Sequence, residues 1–347
     1  MAGQGPRGAT LELRFAERCG VAGAVAVSNC TAALHLAFLA LACRPGDEVL
    51  VADYTYPATG HAVVYCGASP RFVDVRPDTW TIDVDAAAAA IGPKTVGIVA
   101  VDVFGQCADY AELRELCDRH GLWLVEDAAA GSGATYHGGP AGSFGDVGCF
   151  SLHARKGITS GEGGVLVSDD PAVVAKARKL SCFGVESALA RQQSDDLPVP
   201  VFDEFGYNYK LSDILAAVAL VQLAREPELL AARRHVAQRY AEGLADLDDV
   251  ILPFAASDRE HAWQSYVLTL APDLSRADVA RSLRARGVQV NIGTFASHVQ
   301  PAYGTTVACP TSADLFRRHL AIPMHANLRD DEVDRVIELV HAAVSTR

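Results

Sequence analysis

The chain has 347 residues, half of them hydrophobic, and a formal net charge of −12. The length suggests about two domains with a substantial core, and the acidic balance argues against nucleic acid as a partner, since phosphate backbones need a basic face. No uninterrupted apolar run reaches the roughly 18 residues of a membrane span, and the opening MAGQGPRGATLELRF lacks an apolar signal core. A soluble, cytoplasmic protein without a membrane partner is therefore expected.

The nine cysteines are scattered, with no CxxC pair and no Cys/His cluster. That pattern reads as reduced, mostly buried thiols, and no metal site is expected.

From about residue 20 to 170, β-type and helix-type runs alternate. The strands are EVLVA (48–52), RFVDV (71–75), TVGIVAVD (95–102) and LWLVED (122–127). Between them fall helix candidates: 31–42, PATGHAVVYCG, DVDAAAAAIGP, and DYAELRELCDRHG with Asp109 as its cap. This order predicts a mostly parallel sheet covered by helices, with ligands at the carboxyl ends of the strands. The polar, Pro-broken segment 189–205 reads as an exposed loop. One long helical stretch is expected from Ser212 to Leu244. SYVLTL, VQVNI, RADVARSLRARG and DDEVDRVIELVHAAV then suggest a smaller α/β unit. The expected domains are 1–225, large, and 226–347, small.

Three features carry chemistry. SNCTAAL (28–34) sets Ser, Asn and Thr at a helix start after the apolar AVAV, where free N–H groups and the helix dipole favour a phosphate. A plain N-cap is the simpler alternative. EDAAAGSGA puts Asp127 at a strand end, where a capping or salt-bridged role is the rival. SLHARK puts Ser151 five residues before Lys156, within reach of one ligand. Phosphate site, carboxylate and lysine are together what pyridoxal 5'-phosphate (PLP) requires. The lysine forms a Schiff base, the carboxylate keeps the ring nitrogen protonated, and the helix start with a hydroxyl holds the phosphate.

These motifs resemble the DegT/DnrJ/EryC1/StrS family of PLP-dependent sugar aminotransferases of fold-type I. The match is collinear over nearly the whole chain, through AVAVSNCTAALHLA, RPGDEVLVADYTYPATGHAV, GASPRFVDVRPDT, VEDAAAGSGATYHGGPAGSFGDVGCFSLHARKGITSGEGGVLVSDD, FGYNYKLSDILAAVALVQL and LAIPMHANLRDDEVDRVI. The resemblance implies Lys156 as Schiff-base lysine and proton shuttle, and Asp127 on the pyridine nitrogen. It implies Tyr56 stacked on the ring, and Thr31, the Ala32 backbone N–H and Ser151 on the phosphate. Asn208 matches an asparagine lent by the neighbouring subunit, which implies a homodimer with shared sites.

The family usually has Gln or His where this chain has Ala130, and usually begins earlier, with a Pro-rich segment ahead of GP. The implied reaction moves an amino group from glutamate or glutamine to a keto-sugar, foremost a nucleotide-linked 3- or 4-keto-6-deoxy sugar. A keto-cyclitol of an aminoglycoside pathway is the alternative acceptor. The family's sugar dehydratases replace the lysine with histidine, so Lys156 favours transamination, although the aminohydroxybenzoate-forming relatives keep the lysine. Substrate contacts are expected in 185–205 and in NIGTFASHVQPAY, with His298 and Tyr303 as candidates. A nicotinamide dehydrogenase is disfavoured because no GxGxxG follows the first strand. A non-catalytic regulator retaining the fold is the remaining alternative.

Overall fold

Seven strands of the chain form one sheet in the computed structural model, which describes residues 5–185, 199 and 201–345. Their spatial order is Gly23–Val27, Gly164–Ser168, Val147–Ser151, Trp123–Asp127, Thr95–Val101, Glu48–Ala52 and Ser69–Val73. Only Gly164–Ser168 runs against the rest, antiparallel to both neighbours. A parallel sheet needs crossover helices and is buried on both faces. The strands show this directly. Ala24, Leu50, Ile98 and Leu124 join the core under the Pro6–Cys19 and Tyr110–His120 helices. Their neighbours Val25, Val49, Val99 and Val125 join a second core under the Cys30–Ala40, Ala58–Tyr65 and Pro171–Ser181 helices.

A second, four-stranded antiparallel sheet follows in the order Val250–Ile251, Tyr266–Leu270, His319–Ile322, Asn291–Ile292. It shares a third core with the helices Glu226–Gly243, Arg276–Ala285 and Asp330–Val344. The two sheets are stitched together where Phe295–Ala296 pairs with Tyr54–Thr55. No helix among the described residues is long and apolar enough to cross a membrane.

The structure departs from the sequence reading in three places. The stretch from Ser212 to Leu244 is two helices, Asp213–Ala224 and Glu226–Gly243, which meet at Arg225 because Pro227 starts the second. Asp109 stands at the N-cap of its helix, but its side chain makes no capping bond there; the carboxylate accepts instead from Arg259 at 2.7 Å. VQVNI contributes only Asn291–Ile292 as strand. Most of the 185–205 loop, residues 186–198 and 200, lies outside the described residues.

One buried histidine links the two sheets. His319 has no solvent exposure, with Nδ1 2.7 Å from the Tyr54 hydroxyl and Nε2 2.8 Å from the Thr269 hydroxyl. Burial pushes its pKa down to about 3. The unfolded chain, with an ordinary histidine near 6.5, therefore takes up a proton that the folded chain refuses. The stability this confers is complete above pH 6.5 and is lost as pH falls from there towards 3. Urea unfolding should show His319 contributing about 2 kcal/mol to the loss of stability between pH 7 and pH 5. A His319→Gln variant, though less stable at pH 7, should lose correspondingly less over that range.

Candidate active site

The candidate residues gather at the carboxyl ends of the parallel strands. Asp127 ends Trp123–Asp127, and Ser151 ends the neighbouring Val147–Ser151. Thr31 lies just beyond Gly23–Val27, and Tyr56 just beyond Glu48–Ala52. Gly164 lets these ends close up. It pairs with Val27 on one side and Ser151 on the other, and a Cβ there would lie 2.4 Å from the Asn29 carbonyl carbon. The glycine run after Lys156 thus brings the start of the Cys30–Ala40 helix against the strand that carries Ser151.

Asp127 is 4 % exposed. Its Oδ2 accepts from the Thr59 hydroxyl at 2.7 Å and its Oδ1 from the Ala129 N–H at 3.2 Å. Burial raises its pKa, while the Thr59 hydrogen bond and the Lys156 charge pull it back down. Burial likewise holds the Lys156 amine below the ordinary lysine range, and Asp127 acts against that shift. Each group's charge thus favours the ionised form of the other. Cys30, next to Thr31, feels both of them, and burial holds its thiol protonated. Burial that lowers an amine's pKa eases release of its nucleophilic free base, and a buried carboxylate that accepts hydrogen bonds is a partner for a protonated ring nitrogen.

At the helix start, Asn29 is the N-cap, and its Oδ1 accepts the Ala32 N–H at 2.8 Å. The Ala32 N–H is thus engaged within the chain, and a phosphate bound there would share it with Asn29 or displace Asn29 from it. Ser151 is 7 % exposed, and its hydroxyl oxygen accepts from the His153 N–H at 3.3 Å, a bond that leaves the hydroxyl proton uncommitted.

Tyr56 is 60 % exposed, so its ring is not a core side chain. It meets Phe295 edge-on at 6.0 Å. Asn208 is exposed and takes a hydrogen bond from Lys210 Nζ at 2.5 Å. Ala130 is half-buried and ends in a methyl group that can donate nothing.

His298 and Tyr303 lie beside this cluster and are tied to it structurally. The Asp53 carboxylate accepts both the His298 N–H, at 2.6 Å, and its Nδ1–H, at 2.7 Å, which leaves the ring's Nε2 uncommitted to Asp53. The Tyr303 hydroxyl donates to the Pro57 carbonyl at 3.0 Å, and its ring packs on Phe72 at 4.7 Å. Thr59 and Asp53 escaped sequence reasoning. A threonine two residues after Pro57 carries no local sign that it faces a carboxylate 68 residues away.

The arrangement fits PLP. A half-buried lysine and a buried carboxylate stand together, a helix start lies beside a serine hydroxyl, and an open aromatic face completes the set.

A family model described as the DegT/DnrJ/EryC1/StrS aminotransferase family matches residues 1–341. GDP-perosamine synthase of Caulobacter vibrioides is 37 % identical over 337 residues, which cover 94 % of this chain and 87 % of that protein. The spore coat polysaccharide biosynthesis protein SpsC of Bacillus subtilis is 35 % identical, covering 98 % and 90 %. Among solved structures, the Streptococcus pneumoniae protein Spr1654 in its PMP-form superposes with a TM-score of 0.92 at 28 % identity, covering 99 % of this chain and 92 % of that one. Its PLP-form gives a TM-score of 0.91 at 27 % identity, again covering 99 % and 92 %.

The mutual effect of Asp127 and Lys156 is open to measurement without any cofactor. In the cofactor-free Asp127→Asn variant the Lys156 amine loses the anion that favours its charged form. Its labelling by an amine reagent, followed by peptide mass spectrometry, should reach half-extent at a lower pH than in wild type. A midpoint that stays put or moves up would separate the two side chains.

Proposed function

We propose, for a chain that belongs to the DegT/DnrJ/EryC1/StrS aminotransferase family, transfer of an amino group from glutamate or glutamine to a nucleotide-linked 3- or 4-keto-6-deoxy sugar. That the chain is a PLP-dependent sugar aminotransferase follows from the family match and from relatives in polysaccharide and perosamine synthesis. Acceptor, donor, the cytoplasmic setting and a place in amino-sugar or antibiotic biosynthesis are our reading. A keto-cyclitol is the second acceptor class.

The observation that carries this reading is the pairing of Lys156, whose pKa burial lowers, with a buried, hydrogen-bonded Asp127. PLP supplies an electron sink for cleavage of the bond to a donor's α-hydrogen. Lys156 would anchor it covalently, and its amine, once released, would carry the proton to and from the substrate carbon. Asp127 would hold the proton on the ring nitrogen. Tyr56 would cover one face of the ring and exclude water from it. Thr31 and Ser151 would hold the phosphate, with the helix dipole behind them. The Nε2 of His298 would meet a sugar hydroxyl.

We further propose a homodimer in which Asn208 enters the partner's site. The Asp213–Ala224 helix supports this, because Ile214, Val218 and Val221 recur at helical spacing along it and are 56 %, 46 % and 61 % exposed. Such an apolar stripe suits a buried interface.

The test of the acceptor is a panel of nucleotide-linked keto-sugars and keto-cyclitols offered to the amino-loaded enzyme, with return of the PLP absorbance as the readout. Return with a keto-sugar supports the reading, return with cyclitols alone moves it to the second class, and return with none overturns it. The test of the shared site is subunit mixing. Lys156→Ala and Asn208→Ala chains, each impaired alone, should form heterodimers with one doubly altered and one intact site and so regain activity. No recovery with verified exchange means that each site is built from one chain.

A further inference from the structure

Asp127 Oδ2 lies beside a hydroxyl that is itself beside a second hydroxyl. Thr59 Oγ1 is 2.7 Å from Asp127 Oδ2, 3.1 Å from Thr55 Oγ1 and 3.3 Å from the Tyr56 carbonyl. Thr59 has one hydroxyl proton and three oxygens within reach. The Tyr56 carbonyl already receives the Thr59 backbone N–H at 3.2 Å. An ionised carboxylate can only accept, and a hydrogen bond to it is shorter and stronger than one to a neutral oxygen. The Thr59 proton therefore goes to Asp127. The contact with Thr55 then has a single possible sense, in which Thr55 donates to the Thr59 lone pair.

Both threonines are out of solvent, 3 % and 1 % exposed, so water does not readily take over either bond. Each is fixed by a different part of the fold. Thr55 belongs to the short strand that pairs with Phe295, and Thr59 sits in the first turn of the Ala58–Tyr65 helix.

We infer that Thr59, oriented by Thr55, is the positioning residue that keeps the Asp127 carboxylate ionised and aimed at the cofactor's ring nitrogen. The inference rests on the reading of Asp127 given above. It goes beyond that reading by naming the group on which Asp127 depends. The other charged or titratable groups facing Asp127 are Lys156, Cys30 and Cys149. Burial holds both thiols protonated, and Lys156 acts on the carboxylate through its charge, with no hydrogen bond to it among the described residues. Thr59 and the Ala129 N–H are then the protein donors left on the carboxylate.

The test uses Thr59→Val, which keeps the shape and removes the donor, with Thr59→Ser, Thr55→Val and Asp127→Ala alongside. Each variant, checked for folding by its thermal melt, is assayed for PLP affinity by equilibrium dialysis. The pH titration of the bound cofactor's visible absorbance is a second readout. Thr59→Val should weaken PLP retention about tenfold and displace the titration, as expected for roughly one lost hydrogen bond to a charged group. Thr59→Ser should restore both, and Thr55→Val should show a smaller change in the same direction. Should Thr59→Val fail to fold, the decision passes to Thr55→Val, and wild-type behaviour there overturns the inference. If Thr59→Val matches wild type in both readouts while Asp127→Ala does not, Thr59 is not the support and the role of Asp127 stands. If Asp127→Ala itself matches wild type, the reading of Asp127 falls first.

Discussion

A carboxylate taken out of water at the end of a central strand is the constraint around which this site is built. Such a group costs several kcal/mol unless donors and a positive charge answer it. Asp127 is answered from both sides of its strand. Val147–Ser151, its neighbour on one side, leads on to Lys156. On the other side, two strands away, Glu48–Ala52 leads to the helix that carries Thr59. A parallel sheet brings all these strand ends to one edge, so the donors converge from segments far apart in sequence. The same burial that makes Asp127 costly lowers the pKa of Lys156. Removing water from this edge therefore tunes both groups at once.

The strand's alternation gives the preceding acid a different task. Glu126 points to the opposite face and is fully buried. It accepts the Gly142 N–H at 2.5 Å and the Phe144 N–H at 3.1 Å, and burial pushes its pKa up to about 7. It thereby pins the loop that leads into Val147–Ser151, the strand from which Ser151 and Lys156 follow. Asp102 reinforces the arrangement. Its N–H donates to the Asp127 carbonyl at 3.1 Å, and its carboxylate accepts from Tyr110 at 2.7 Å. Consecutive acids, Asp127 at the candidate site and Glu126 in the scaffold, fix where the strand ends.

The sequence made the fold class legible because its strands are short apolar runs between capped helices. Glu48–Ala52 and Trp123–Asp127 match the EVLVA and LWLVED runs to within a residue. Lys156, Asp127 and Ser151 were legible through motif order. What was hidden depends on contacts between distant segments. Asp109 looks like a helix cap until Arg259, 150 residues later, takes its carboxylate. Ala32 looks like a free donor until the rotamer of Asn29 is known. The long helix hid a break because Pro227 is tolerated in a first helical turn and so announces a new start as readily as an interruption. Thr59 was hidden for the same reason as Arg259: its partner is set by tertiary packing.

Alternation also accounts for the exposure of Asn208. Tyr207 and Tyr209 stack on each other at 4.9 Å with their planes 10° apart, and both meet the buried His35 on the Cys30–Ala40 helix. Their backbone N–H groups donate to Leu180 and Ser181, and the Ser28 N–H donates to the Tyr209 carbonyl at 2.7 Å. With the two tyrosines turned inward, the intervening Asn208 and the following Lys210 are left on the other side, where they meet each other. The segment is thus fixed by its neighbours and by its backbone, not by the asparagine. A side chain held out by a rigid segment, with only a lysine at its oxygen, costs little conformational entropy to engage elsewhere. The helix that begins at the candidate phosphate site is the one whose His35 anchors the tyrosine pair, so the cradle and the presentation of Asn208 rest on a single element.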